Sequence, residues 1–139
     1  MRLRHLICLV LVAAFMGGCR GPKDDCEGTV HSYESIIDGQ HWDDYPDIVY
    51  PPLRKKYGDR NIRNWVAVFY EGAQKFKFTA VNATVSKDVC LVQTQSSWYK
   101  KIRGQNPESI DDEYNAYTLH LVDGKWYMEL PGAAKLQAF

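Results

Sequence analysis

The sequence has no excess of charge of either sign. Its 139 residues contain 17 basic and 17 acidic side chains. Without residues 1–18, which include Arg2 and Arg4, 15 basic and 17 acidic residues remain and the net charge is near −2. A nucleic-acid-binding domain carries a clear positive footprint, so nucleic acid is excluded as the expected partner. The sequence also has no internal repeats, and the roughly 120 residues after residue 18 are expected to form one domain.

The sequence lacks an apolar run long enough to span a membrane. The run at residues 6–16 has 11 residues, whereas a spanning helix needs about 20. It follows Arg2 and Arg4 and precedes two glycines. This order of a positive segment, an apolar core and small residues is typical of a secretory signal peptide. We therefore expect residues 1–18 to be a signal peptide.

Residues 16–19, Met-Gly-Gly-Cys, resemble the bacterial lipobox. Met16 stands where leucine is usual and keeps the apolar character. The resemblance implies that Cys19 is acylated and becomes the first mature residue, with two kinds of lipid chain, as stable membrane attachment requires. The alternative is a simple secretory signal with a chance cysteine. Arg20 stands where aspartate would signal retention at an inner membrane, which favours the periplasmic side of an outer membrane if the cell has one.

Cysteine is scarce, and its positions are informative. Of four cysteines, Cys8 lies in the signal and Cys19 takes the lipid, which leaves Cys26 and Cys90. Two cysteines in an oxidising compartment favour a disulfide, with two buried free thiols as the alternative. The pair offers too few ligands for a metal site, and the four histidines are not at metal-ligand spacing from it. No metal and no cofactor are expected.

The sequence has no Ser-His-Asp order, phosphate-binding glycine loop or nucleophile elbow. Asp38 and Asp88 fall at a helix end and in a turn, where we expect them to be solvated. His120 and Glu129 are diagonal neighbours across a predicted hairpin, within reach of each other. A histidine–carboxylate pair can perform acid–base chemistry. The expectation here is an ordinary surface pair, because the opposite face of the hairpin carries the core residues.

Helical periodicity occupies the first half of the domain. A first helix is expected to start after an Asp24 or Asp25 cap and to end at Gly39. Its apolar face consists of Cys26, Val30, Tyr33 and Ile37. A short helix is expected around residues 45–49, with one further turn at 53–58. The buried face of a third helix, from Asp59 to a stop at Gly72, consists of Ile62, Trp65, Val66 and Phe69.

Period-two alternation replaces the helical pattern after residue 75. Strands are expected at residues 76–87, 89–101, 113–122 and 125–130, with a polar loop at 104–112. The second strand places one set of residues on a single face: Cys90, Val92, Thr94, Ser96 and Trp98. Asp123-Gly124 is a strong two-residue hairpin signal, which sets Leu121 opposite Trp126. Helices followed by an antiparallel meander predict an α+β fold.

Two stretches, residues 32–45 and 51–54, together with the ending Gly124-Lys125-Trp126, resemble the nuclear transport factor 2-like superfamily, whose cone-shaped fold is also called cystatin-like. The resemblance implies N-terminal helices packed on a curved antiparallel sheet of about four strands, with a pocket between them. We therefore expect a signal at 1–18, a tether at 19–25, the domain at 26–131 and a tail at 132–139. The fold alone implies no activity.

Five aromatic residues are candidates to line such a pocket for an apolar ligand: Tyr33, Trp65, Trp98, Tyr117 and Trp126. Core packing explains them equally well. The basic run at residues 100–103 is expected to be solvated, with anionic lipid headgroups as the second interpretation.

These patterns predict an exported protein that is lipid-anchored to a membrane and has a non-catalytic domain. That domain would bind an envelope protein or a small apolar ligand. An accessory role in immunity or secretion is a variant of this prediction. The alternative is a pocket enzyme performing acid–base chemistry on a small apolar substrate. Acidic residues inside the pocket would favour the enzyme, and a pocket filled by its own aromatic rings would favour the binding domain.

Overall fold

The computed structural model describes residues 21–101 and 103–130. The expected signal peptide, Cys19, the start of the tether and the C-terminal tail lie outside these residues. Four helical segments come first: α1 (Pro22–Gly39), a 3₁₀ helix (Trp42–Ile48), α2 (Pro51–Tyr57) and α3 (Asp59–Phe69). Four strands follow: β1 (Ala73–Ser86), β2 (Val89–Lys100), β3 (Glu108–Val122) and β4 (Lys125–Met128). Within the described residues no helix is both long and apolar enough to cross a membrane.

The strands form one antiparallel meander in the order β1-β2-β3-β4. Irregularities interrupt the register of β1 with β2 after Gln74 and after Phe78, and that of β2 with β3 after Ser96. Such bulges bend a strand and increase its twist. The sheet therefore curls, and its concave face receives the helices. The predicted α+β cone is confirmed.

Helix α1 lies in the concavity of the sheet. Its buried side chains are Cys26, Val30, Tyr33, Ile36 and Ile37, which confirms the predicted apolar face. A disulfide joins Cys26 to Cys90 on β2, so the N-terminal part of α1 is fixed covalently to the sheet. At the β4 edge of the sheet, the backbone N–H of Tyr50 donates to the Met128 carbonyl at 2.8 Å. This bond attaches the 3₁₀ helix and α2 to β4.

Helix α1 begins at Pro22, earlier than predicted. Gly21 is its N-cap, and proline is well suited to the first helical position because its φ is already helical. Asp24 is not the cap; its carboxylate reaches back and accepts the Gly21 N–H at 3.2 Å. Residues 22–25, assigned above to the tether, therefore form the first turn of the helix.

Two other predictions fail at the ends of elements. Phe69 was expected in the core, but α3 ends there and Phe69 is 50% exposed, while Tyr70 turns into the core instead. Strand β3 begins at Glu108, inside the predicted loop. Its early part pairs with the far end of β2, where Ile110 lies opposite Trp98. This stretch is polar and was therefore predicted as a loop, but its pairing with β2 makes it a strand.

The free edge of β1 is covered by acidic side chains of α1. The Glu34 carboxylate accepts the N–H of Phe78 at 2.7 Å, and the Asp38 carboxylate accepts the N–H of Phe76 at 2.9 Å. The two acids are one helical turn apart and meet alternate residues of the strand. Asp38 was expected to be solvated; it is exposed, but it also binds the strand. Unpaired edge N–H groups invite aggregation, and these contacts satisfy two of them.

Replacing Glu34 with alanine should lower the free energy of unfolding by about 1.5–3 kcal/mol, the usual range for a hydrogen bond to a charged group. Glu27→Ala is the matched control, because both glutamate side chains are 25% exposed and Glu27 only approaches Lys23 at 3.8 Å on the surface. We expect a loss below about 0.5 kcal/mol for the control. Urea denaturation followed by circular dichroism measures both. Equal losses would show that the contact with β1 contributes nothing specific.

Candidate functional site

The interior of the cone is filled by its own aromatic rings. Tyr33 is fully buried at the centre. The rings within 6.3 Å of its ring centroid are those of Tyr45, Tyr70, Phe76, Phe78 and Tyr117. Such tilted and edge-to-face pairs at 4.5–7 Å add stability beyond simple burial. The space where the fold would place a pocket is therefore occupied by side chains.

The five aromatic residues proposed as pocket lining are all buried, but they do not form one wall. Tyr33 and Tyr117 are in contact, with ring centroids 5.4 Å apart. Trp98 joins them indirectly through Tyr70 and Phe76. Trp65 stacks on Phe69 at 5.4 Å. Trp126 lies on β4, where its carbonyl accepts the Thr29 hydroxyl at 3.3 Å.

The tyrosine hydroxyls in the interior are uncharged at neutral pH. Burial raises the pKa of Tyr33 and of Tyr45 well above 10, and it raises the pKa of Tyr117 to about 12. The hydroxyl of Tyr33 is hydrogen-bonded to that of Tyr70. Buried hydroxyls are costly unless they are paired. These groups can stabilise the core or donate hydrogen bonds, but they do not serve as bases at neutral pH.

Among the described residues, the acid Glu113 faces this interior, and the sequence interpretation missed it. The Glu113 carboxylate accepts the indole N–H of Trp98 at 3.1 Å, and its charge contributes to the raised pKa of Tyr70 and of Tyr117. The alternation of residues along β3 indicates this position. Counting back in steps of two from the buried residues Leu119 and Tyr117 places Glu113 on the same face of the strand.

The predicted neighbours His120 and Glu129 do meet. His120 Nε2 lies 2.6 Å from Glu129 Oε1. The ring of Tyr50 stacks on His120 with centroids 4.3 Å apart. The pair lies outside both clefts described next, and its side chains are 24% and 48% exposed. This arrangement is an accessible surface pair, as expected.

A broad cleft of about 750 Å³ opens between the start of the 3₁₀ helix and α3. One wall is residues 40–44, and the other consists of Arg60, Arg63, Asn64 and Ala67. We call it the Trp42 cleft. Its volume lies within the range of small-molecule sites, about 300–1,000 Å³. The sequence interpretation did not single out this site.

A second cleft, of about 380 Å³, lies at the end of α3. The predicted basic run contributes Lys100, Lys101 and Arg103, and Ile102 falls outside the described residues. Beside these cations are Val68 and Phe69, which are 56% and 50% exposed. Glu71 also lines the cleft. Lys101 and Arg103 are exposed, so this part of the basic run is solvated as expected, and it also borders the exposed apolar side chains of Val68 and Phe69.

Within the described residues, no group of three or more His, Cys, Asp or Glu side chains could hold a metal ion.

Comparison with known proteins identifies the fold. No protein-family profile matches the chain, and no curated protein matches it. A protein of unknown function from Mycobacterium tuberculosis superposes with a TM-score of 0.58 at 14% identity, covering 80% of this chain and 73% of that one. An NTF2-like protein with a cystatin-like fold from Novosphingobium aromaticivorans gives 0.56 at 14%, covering 83% and 86%.

A protein of the NTF2-like family from Streptomyces avermitilis, provisionally named a dehydratase, gives a TM-score of 0.57 at 8% identity and covers 76% of this chain and 90% of that one. Identities this low establish architecture and leave activity open. The chain has the nuclear transport factor 2-like, cystatin-like cone fold.

Proposed function

We propose that this chain is a lipid-anchored protein of the cell envelope whose cone domain binds a partner protein or a small ligand without catalysing a reaction. The anchor is supported by the order of charges, apolar run, small residues and Cys19 at the N-terminus. The buried Cys26–Cys90 disulfide is consistent with export to an oxidising compartment.

The observation that carries the binding role is the filled interior. Because Tyr33 and the five rings around it occupy the centre of the cone, a substrate would have to displace well-packed side chains. Protein interiors are packed nearly as densely as organic crystals, so displacement of this kind is costly. Ligands are better accommodated on the outside, where the Trp42 cleft and the cleft beside Phe69 are open.

A second candidate is an enzyme with acid–base chemistry inside the cone. It is favoured by Glu113, which faces the interior beside the tyrosine hydroxyls, and by the likeness to a protein provisionally named a dehydratase. A general base must reach the proton it removes. The carboxylate of Glu113 already accepts a hydrogen bond from Trp98, and this favours a structural role.

The anchor is tested by intact-protein mass spectrometry on the membrane fraction of cells that produce the full-length chain. We expect a mature chain that starts at Cys19 and carries a diacylglycerol group, with or without a third acyl chain. We also expect Cys26 and Cys90 to resist alkylation until they are reduced.

The control is Cys19→Ala, which should lose the lipid mass because no acylated cysteine remains. A wild-type chain that is soluble, or is cut at another residue, would show that the proposal is wrong about the anchor. Free Cys26 and Cys90 thiols in an exported chain would instead contradict the disulfide and leave the anchor intact.

A further inference from the structure

We infer that the Trp42 cleft binds a neutral saccharide. This inference rests on the proposed function in one respect, namely that the outer surface of the cone, rather than its interior, receives the ligand. It adds the place and the chemical class of that ligand. The shape of the cleft, its tryptophan side chain and its balance of charges support this assignment.

The shape of the cleft follows from helical geometry. Arg60, Arg63, Asn64 and Ala67 recur at spacings of three and four residues, so they share one face of α3. The opposite face of α3 is held in the core by Ile62, Trp65 and Val66. The polar face is therefore directed outward by packing, and it stands opposite residues 40–44 on a rigid support.

Trp42 gives the cleft an aromatic surface. Its side chain is partly buried and packs against the core, and the residue also lines the cleft. The indole is a flat apolar ring whose motion is restricted by this packing. The C–H groups on one side of a sugar ring form a matching flat apolar surface, and aromatic rings bury such surfaces at little cost in side-chain entropy.

An ion pair bridges the two walls of the cleft. Arg63 on α3 pairs with Asp43 on the 3₁₀ helix, and the Asp43 side chain is mostly exposed. His41 also lines the cleft, and its imidazole lies beside Gly39, where an added Cβ would be 3.0 Å from Cε1. It adds a polar ring to the wall of the cleft.

The charges in the cleft cancel. Two arginines, at positions 60 and 63, face two aspartates, at positions 43 and 44. A site for an anion or a cation would show one sign in excess. A mixture of fixed donors and acceptors suits a neutral molecule whose hydroxyl groups both donate and accept. Asp44 accepts such bonds, Arg60 donates them, and Asn64 can do either.

A neutral saccharide satisfies all three features, because it is uncharged, rich in hydroxyl groups and apolar on one side of its ring. A peptide segment is the other occupant to consider. Exposed backbone amides could use the same donors and acceptors, but the second cleft offers a peptide two exposed apolar side chains, Val68 and Phe69. The Trp42 cleft has a single indole ring, that of Trp42 itself. One flat aromatic surface of this kind favours a sugar ring over a peptide.

The test uses the full-length chain in detergent on a glycan array that carries neutral, acidic and amino glycans. Isothermal titration calorimetry then measures the best neutral glycan against variants. We expect at least tenfold weaker binding for Trp42→Ala and about threefold to tenfold weaker binding for Asn64→Ala, which loses one hydrogen bond. Trp42→Phe keeps an aromatic floor if the alanine variant is unstable, and it should retain part of the affinity.

Asn61→Ala is the matched control. Asn61 lies on the same helix but does not line the cleft, and its amide donates to the Tyr57 carbonyl at 2.9 Å. Its binding should equal that of the wild type. The inference is overturned if no neutral glycan binds, if an acidic or amino glycan binds more tightly, if only a peptide binds, or if Asn61→Ala and Asn64→Ala weaken binding equally.

The failures of the inference and of the proposed function can be told apart. A chain that carries the lipid but binds no neutral glycan contradicts the inference alone. Binding that survives Asn64→Ala and Trp42→Ala but is lost in Trp98→Phe would locate the ligand inside the cone. That result would contradict the proposed function as well, because Trp98 belongs to the aromatic interior.

Discussion

Replacing Tyr33 with alanine should lower the free energy of unfolding by at least about 4 kcal/mol. Removing a large buried aromatic side chain costs about 3–5 kcal/mol, because the lost contacts and the residual cavity add together. Tyr33 contacts five aromatic rings, and its removal also leaves the buried hydroxyl of Tyr70 without this partner. A domain of this size has about 5–15 kcal/mol in total, so the variant should be close to unfolding. Urea denaturation followed by circular dichroism measures the loss.

Two further variants separate packing from hydrogen bonding. Tyr33→Phe keeps the ring and removes the bond to Tyr70, and a loss of about 1–2 kcal/mol is expected. Tyr114→Ala changes a tyrosine that is 74% exposed, and a surface change of this kind should cost less than about 1 kcal/mol. A loss below about 1.5 kcal/mol for Tyr33→Ala would contradict a tightly filled interior. It would then reopen the possibility of a ligand pocket inside the cone.

Much of the fold could be predicted from the sequence because the patterns are regular and local. The face Cys90, Val92, Thr94, Ser96 and Trp98 is buried as its alternation predicted. The Asp123-Gly124 turn forms between β3 and β4 and sets Leu121 opposite Trp126. In both cases residues close in the chain carry the information, and the two-residue turn fixes the register.

The errors occur where distant residues decide the outcome. Tyr70 rather than Phe69 enters the core, where its hydroxyl meets that of Tyr33, 37 residues away in the chain. The first residues of β3 are polar, and they become a strand because β2 extends beside them. Neither partner is visible in a local window of sequence.

The Trp42 cleft could not be predicted for the same reason. Its two walls are separated by about 20 residues in the chain, and the spacing of α3 alone shows only an amphipathic helix with a solvated polar face. The Glu113 contact is different, since strand alternation would have located it.

Converting both Cys26 and Cys90 to alanine should lower the free energy of unfolding by about 4 kcal/mol. The two residues are 64 positions apart, and the chain-entropy relation for a loop of that length gives this value. The disulfide joins α1 to β2 across the three other helices and β1, so its loss frees most of the helical layer in the unfolded state. The two side chains are fully buried, and alanine leaves only a small additional cavity. Urea denaturation of the oxidised proteins measures the difference.

A reducing agent provides the internal control for this experiment. It should weaken the wild-type chain by a similar amount and leave the double alanine variant unchanged, because no buried disulfide remains to be reduced. A variant that loses less than about 1 kcal/mol, or that responds to the reductant as strongly as the wild type, would contradict the role assigned to the pair.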